Sequence, residues 1–398
     1  MNTRLTLLGV AMLIVTTLGA QEIKTGAFGK GIFNVMGKDS TFSMKFAVRF
    51  QLLGYSSWID DQPADLNFLV RRSRLKLDGF VYSPKLRYKF EAGFSNRDMS
   101  GGSDDFTHGS PRFIMDAFVD WNFYKNLILR VGQGKLPGNR ERIISSANLQ
   151  LVDRSLLNGK FNIDRDIGFQ LKHYFNPAGN FMVREILSVS LGEGRNVTTG
   201  NLGGLQYVGG VEILPFGNFI SKGDYKGADL KREPTPKLAI AASYEFNNDA
   251  VRTRSNQGKY MLIDDDNGIY KTNINTVFID GMFKYRGYSL MFEYANRSAD
   301  DAVAKNSDGT ATGDIVEVGN SFNIQSGYLF KSNWEITGRY TDLNMDSISM
   351  QNSKDMYTLG FSKYIVGHKL KVQSDFSYIK TYASTDEILA RLQLEVHF

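Results

Sequence analysis

The residues best placed to do chemistry in this chain are basic ones at alternate positions. Lys45 and Arg49, then Arg72, Arg74 and Lys76, then Lys85, Arg87 and Lys89 recur at even spacing within short apolar segments. Successive side chains of a strand point to opposite faces, so each set shares one face. A guanidinium presents a planar fork that matches phosphate oxygens, and an ammonium acts as a point charge. A wall of such groups in a narrow, low-dielectric space raises the local anion concentration. Rings or ladders of Arg and Lys are how pores select anions. Only Asp78 and Glu91 accompany these eight on their face. Arg130, Arg184, Arg339 and Lys371 are placed to extend the wall. Asp116, Asp120 and Glu335 are candidates for an opposing acidic side, as in a near-neutral general channel.

Covalent chemistry has little support. His108, His173, His368 and His397 are scattered, with no nucleophile motif and no metal-ligand spacing. Neither an enzyme, a metal nor a cofactor is expected. Gly37-Lys38-Asp39 lacks the upstream Gly and the Ser or Thr of a phosphate-binding loop. Asp264-Asp265-Asp266-Asn267-Gly268 could meet a hard cation, but lacks the distal Glu of a full binding loop. A formal charge of +5 is mild for 398 residues, and nucleic acid is not an expected partner.

The basic faces belong to elements of period two. Sixteen such segments can be traced, from Phe42–Leu53 to Glu387–Phe398. In the first, Phe42, Met44, Phe46, Val48, Phe50 and Leu52 form the opposite, apolar face. In the last, Ile388, Ala390, Leu392, Leu394, Val396 and Phe398 do so. Trp121, Trp334, Tyr364 and Tyr378 fall near segment ends, where aromatic belts form. Tight links such as Arg286-Gly287 and Lys331-Ser332 alternate with long polar loops. That alternation predicts an all-β fold, a transmembrane antiparallel barrel of about 16 strands with short periplasmic turns and long extracellular loops. The composition of 39 glycines, 28 phenylalanines, 19 tyrosines, 8 prolines and no cysteine suits it and excludes a disulfide framework. Residues 1–20 read as a signal peptide, 21–41 as a periplasmic lead-in and 42–398 as the barrel.

Two connections stand apart. Gly134–Arg165 is long enough to fold inward and narrow the pore, with Lys135, Arg140, Arg142 and Arg154 as constriction candidates; a solvated surface loop is the other reading. Gly217–Pro236 should be periplasmic yet is long, so it is either a true excursion or contains an unseen hairpin.

Several blocks resemble the phosphate-selective porin O and P family. They are Leu129 to Leu157, Arg71-Arg72-Ser73-Arg74-Leu75, Asp116-Ala117-Phe118-Val119-Asp120, Arg165-Asp166-Ile167-Gly168 and Leu214-Pro215-Phe216-Gly217. The Lys135-Leu136-Pro137-Gly138-Asn139-Arg140 wording is similar to a Bacteroidetes-type branch. The resemblance implies an outer-membrane porin, commonly trimeric, that passes small inorganic anions such as phosphate or polyphosphate. The terminal strand ending at Phe398 resembles the signal read by the barrel-assembly machinery. Other expected partners are outer-membrane lipid and lipopolysaccharide. A general porin, a sugar porin and a plugged, partner-binding barrel are the alternatives.

Overall fold

The computed structural model describes residues 22–24, 28–59, 62–100, 111–197, 200–263 and 268–398. The expected signal peptide and the Asp264-Asp265-Asp266 cluster lie outside the described residues.

Sixteen strands form a ring: β1 Phe42–Ile59, β2 Asp65–Val81, β3 Ser83–Gly93, β4 Ile114–Tyr124, β5 Leu127–Lys135, β6 Arg165–Ala178, β7 Phe181–Ser190 and β8 Gln206–Leu214. The other half comprises β9 Lys237–Ala250, β10 Thr272–Tyr285, β11 Tyr288–Ala299, β12 Gly319–Leu329, β13 Trp334–Met345, β14 Lys354–Tyr364, β15 Leu370–Thr381 and β16 Glu387–His397. Each strand pairs antiparallel with the next, and β16 pairs with β1 from Glu387↔Ile59 to His397↔Arg49. A closed ring leaves no unpaired backbone facing lipid, which an open sheet cannot achieve.

The alternation read from the sequence sets inside and outside. Along β16, Arg391, Gln393, Glu395 and His397 point inward, while Ile388 and Leu392 are exposed on the outer wall. Trp121, Trp334 and Tyr378 also face out, as an aromatic belt requires. Tyr364 does not. Its neighbour Lys363 faces out, so Tyr364 turns inward, is buried, and donates its hydroxyl to Glu335 at 2.6 Å.

Short turns gather at one end and long loops at the other. Arg286-Gly287 is a two-residue turn in which both residues have positive φ (48° and 94°), a conformation that suits the right-handed twist of the flanking strands. The residues before β1 are not a bare lead-in: Glu22–Lys24 pairs with Phe33–Met36, which pairs with Ser43–Phe46 of β1. This small hairpin takes the edge of β1 below the point where β16 runs out. Ile32 N–H donates to the Phe46 carbonyl and Phe398 N–H to that of Val48. Among the described residues, three short helices lie in the long loops: α1 Asn96–Met99, α2 Arg140–Ile143 and α3 Leu156–Lys160.

Candidate functional site

The β5–β6 connection folds into the barrel and crosses it. Its apolar residues, which show no period in the sequence, each find a lumen-facing patch. Leu136, Leu157, Phe161 and Ile163 pack against Val208, Phe278, Ala295 and Leu343. Ile144 and Leu149 pack with Met182, Leu214, Met282 and Met291. Arg140 pins the loop to the far wall and is only 1% exposed. Its guanidinium reaches Asp280 and Glu212 at 2.7 Å each and the Asp224 carbonyl at 3.1 Å. Gln150 donates to Ser289 at 2.7 Å and to Glu335 at 2.6 Å, and Lys371 of β15 donates to the Leu149 carbonyl at 2.8 Å. At the loop's root, Lys135 donates to the carbonyls of Arg142, Ile143 and Ile144, the open end of α2.

The long β8–β9 connection is a true excursion with no hairpin, and it also turns into the barrel. Lys284 of β10 holds it by donating to the carbonyls of Gly223, Lys226 and Ala228, each at 2.8 Å. Asp224 pairs with Arg184 at 2.5 Å, and Phe219 joins the apolar cluster around Ile144 and Leu149. Gly227 N–H donates to the Asn148 carbonyl at 2.8 Å, so loops from the two ends meet inside the lumen. Between them they occupy the side lined by β8 to β15.

What stays open is a cavity of about 1480 Å³ beside β2 to β8. The sequence-predicted residues divide around it. Arg72, Arg74, Lys89 and Arg130 line it, together with Lys135, Arg140, Arg142 and Arg154 of the crossing loop. Arg49 does not: it is buried in a two-bond pair with Glu395, at 2.5 and 3.1 Å, and donates to Ser146. Lys45 and Lys76 sit nearer the short-turn end, where Lys76 pairs with Asp78 at 2.8 Å. Arg87 is exposed at that mouth and donates to the Pro84 carbonyl. Arg339 and Lys371 are also buried against the crossing loop, outside the cavity.

The expected opposition of a basic and an acidic wall is corrected. Asp116 and Asp120 lie on β4, beside the basic strands rather than across from them. Register explains the pairing: β3 and β4 set Glu91 opposite Asp116 and Arg87 opposite Asp120. Lys89 bridges Glu91, at 2.9 Å, and Asp116. Arg130 grips Asp120 at 2.7 and 2.8 Å and stacks on Phe118, its carbon 3.5 Å from the ring centre. Arg74 binds Asp98 at 2.7 and 2.8 Å and Glu91 at 2.8 Å. Glu335 does stand on the far wall, but it is occupied by Gln150 and Tyr364.

Even so, positive charge remains in excess. Among the described residues, sixteen Arg and Lys side chains line the cavity against nine carboxylates. Each of those carboxylates is ion-paired with an Arg or Lys, except Glu185, which faces outward beside His173. The reverse does not hold. Arg72 donates only to Gln51, with its Nε unpartnered, and Arg97, Lys172 and Lys222 pair with no carboxylate among the described residues.

Sequence reasoning did not single out Arg71, Arg97, Lys172 and Arg391 as pore residues, whereas Arg165, at the end of the candidate constriction loop, does line the cavity. Strict alternation sends Arg71 to lipid, but a bulge opposite Gln51/Leu52 turns it inward, where it pairs with Asp153. The run Arg71-Arg72-Ser73-Arg74, an unlikely lipid-facing segment, was the available signal. Burial raises the pKa of Asp153, but Arg71, Arg391, Arg72 and Arg97 outweigh it and hold the carboxyl well below its usual range. Asp164 is held low in the same way by Arg142 and Arg165. Burial and then Arg142 push Arg154 down to about 9, still charged at neutral pH.

A ring of sixteen strands narrowed by inward loops is a channel architecture, and comparison decides which kind. Residues 42–397 match the family described as phosphate-selective porin O and P. The chain belongs to that family. An uncharacterised protein of Aquifex aeolicus (strain VF5) is 25% identical over 371 residues, covering 85% of this chain and 82% of its own. The outer-membrane channel DcaP of Acinetobacter baumannii shares the fold at TM-score 0.51 and 14% identity, over 89% of this chain and 97% of its own. A loop-deleted OmpT of Vibrio cholerae does so at 0.50 and 11%, over 89% and 99%. The protein is thus an outer-membrane porin, its short turns periplasmic and its long loops extracellular.

Proposed function

We propose that this porin is a passive diffusion channel selective for small inorganic anions, phosphate among them. The observation that carries the reading is the one-sided pairing in the lumen, where eight of the nine acids along the cavity are ion-paired with Arg or Lys while Arg72, Arg97, Lys172 and Lys222 form no ion pair among the described residues. An anion entering the cavity meets these groups, and the inward-facing carboxylates among the described residues that a cation would meet are already ion-paired. Binding to a few unshared charges is weak enough for the ion to leave, as conduction requires. The family's description as phosphate-selective supports phosphate as one such ion. Family resemblance also supports a homotrimer, and the terminal strand ending at Phe398 supports delivery by the barrel-assembly machinery. Lipopolysaccharide around the outer rim completes the proposed setting.

The extensive pairing of Arg74, Lys89 and Arg130 favours a second reading, a general porin with slight anion preference. Reversal potential across a potassium chloride gradient in a planar bilayer separates the two, followed by phosphate titration. A strong shift toward chloride with phosphate reducing the current supports the anion channel. A near-zero potential sinks it and leaves the general porin.

A further inference from the structure

The two edges of the barrel differ in their balance of charge: exposed acids are frequent at the extracellular edge and scarce at the periplasmic one. At the periplasmic turns Lys38, Lys85, Lys125, Arg286 and Lys331 are exposed. Three cations at this edge stand over aromatic rings: Lys125 over Tyr124 at 5.2 Å, Arg286 over Tyr285 at 5.0 Å and Lys363 over Trp334 at 5.3 Å. Tyr124 and Trp334 are themselves more than half exposed on the outer wall (56% and 51%). Among the side chains of this edge whose burial is described, an exposed carboxylate is found at Asp39, which accepts from Thr41. Asp224, Asp229 and Glu233 are buried in the excursion. At the extracellular edge the aromatics meet acids as well: Tyr378 donates to Asp386 at 2.5 Å, and Tyr382, with Lys380 over its ring at 4.8 Å, donates to Asp355 at 2.7 Å.

Aromatic rings at a barrel's boundary lie at headgroup depth, and long basic side chains snorkel to the same level. A cation held over such a ring is therefore placed among phosphates. A zwitterionic headgroup brings its own ammonium and leaves the girdle's charge uncancelled, whereas an anionic headgroup cancels it. We propose that the periplasmic girdle of Lys125, Arg286, Lys331 and Lys363 binds anionic phospholipid of the inner leaflet. The proposal does not depend on what the pore conducts.

The test uses the whole barrel in nanodiscs of equal phosphatidylglycerol and phosphatidylcholine, with retained lipid read by native mass spectrometry. One basic residue near an anionic surface supplies a factor of about five, so at least about fivefold enrichment of phosphatidylglycerol is expected. The variant Lys125→Gln/Arg286→Gln/Lys331→Gln/Lys363→Gln, checked for folding by heat-modifiable migration, should fall to parity. Lys380→Gln, at the extracellular edge beside Tyr382, should change nothing. Equal retention by the unaltered protein, or full enrichment in the folded quadruple variant, overturns the proposal. Loss of enrichment on adding inorganic phosphate would reassign the girdle to free phosphate. Salt-sensitive sedimentation with cell-wall sacculi in the absence of lipid preference would reassign it to that acidic polymer.

Discussion

Replacing Arg140 by Met keeps most of the side chain's volume and removes its charge from the far wall of the lumen. Two carboxylates lose a partner, but unequally. Glu212 retains Arg184 at 2.7 Å and the Tyr225 hydroxyl at 3.0 Å. Asp280, 2% exposed, retains only the Arg140 backbone N–H at 3.2 Å. Removing one member of a buried ion pair costs about 3–5 kcal/mol. With Glu212 still satisfied, the lower end applies, about 3 kcal/mol against the pinned loop. That is more than a hundredfold in the ratio of pinned to released loop, at tenfold per 1.4 kcal/mol. The apolar contacts of Leu157, Phe161 and Ile163 keep the loop inside on average, so the change shows as fluctuation. Single-channel recording should reveal added open-channel noise and a higher-conductance substate. Pairing Arg140→Met with Asp280→Asn should recover part of the loss, because the stranded charge is gone. Recordings of Arg140→Met that match the unaltered channel in conductance, noise and thermal stability would refute the claim that this pair holds the constriction.

The remaining predictions are briefer. Replacing Arg72 and Arg97 together with Gln should lower the anion-to-cation permeability ratio read from reversal potential, since neither is offset by an acid. Replacing Asp153 with Asn should raise that ratio and cost stability, because it removes the carboxylate that Arg71 and Arg391 share. Because the pKa of Asp153 is depressed in the folded protein, its contribution to stability is fully present above its unfolded value of about 4 and is lost as pH falls through the folded value. Asp153 should therefore contribute no change in selectivity in a titration from pH 7 to pH 5, so the Asp153→Asn variant and the unaltered channel should show parallel profiles over that range. A Cβ at Gly227 would lie 2.8 Å from the Gln150 nitrogen and 3.0 Å from the Asn148 carbonyl oxygen. Gly227→Val should part the two inward loops and raise single-channel conductance.

Strand content was legible because lipid and lumen impose opposite chemistry on alternate residues, as β16 illustrates. Tyr364 escaped that reading, since an aromatic near a strand end suits either face. The charge balance of the lumen was hidden because pairing between neighbouring strands depends on register. Nothing in the sequence shows that Glu91 stands opposite Asp116, or that Lys89 bridges them. Arg71 was hidden by a one-residue bulge. The paths of the two inward loops were the least legible. Their apolar residues have no period, and their partners are scattered over strands far away in the chain. Arg140, flagged for its charge, proves to be an anchor rather than an exposed constriction residue.

The small N-terminal hairpin bears on how the ring is completed. Strand β16 meets β1 across more than three hundred residues of chain (His397↔Arg49), so this seam carries the largest loop-closure cost in the ring. The hairpin, by contrast, joins Phe33 to Phe46, a local contact that can form early. Once made, it occupies the lower edge of β1 and leaves only the upper edge free. The arriving tail can advance until Phe398 reaches Val48, where Ile32 already bonds to Phe46 and Phe28 lies against the terminal ring at 5.6 Å. The chain's beginning thus acts as a stop for its end. It sets the register of closure and denies that stretch of edge to any other molecule.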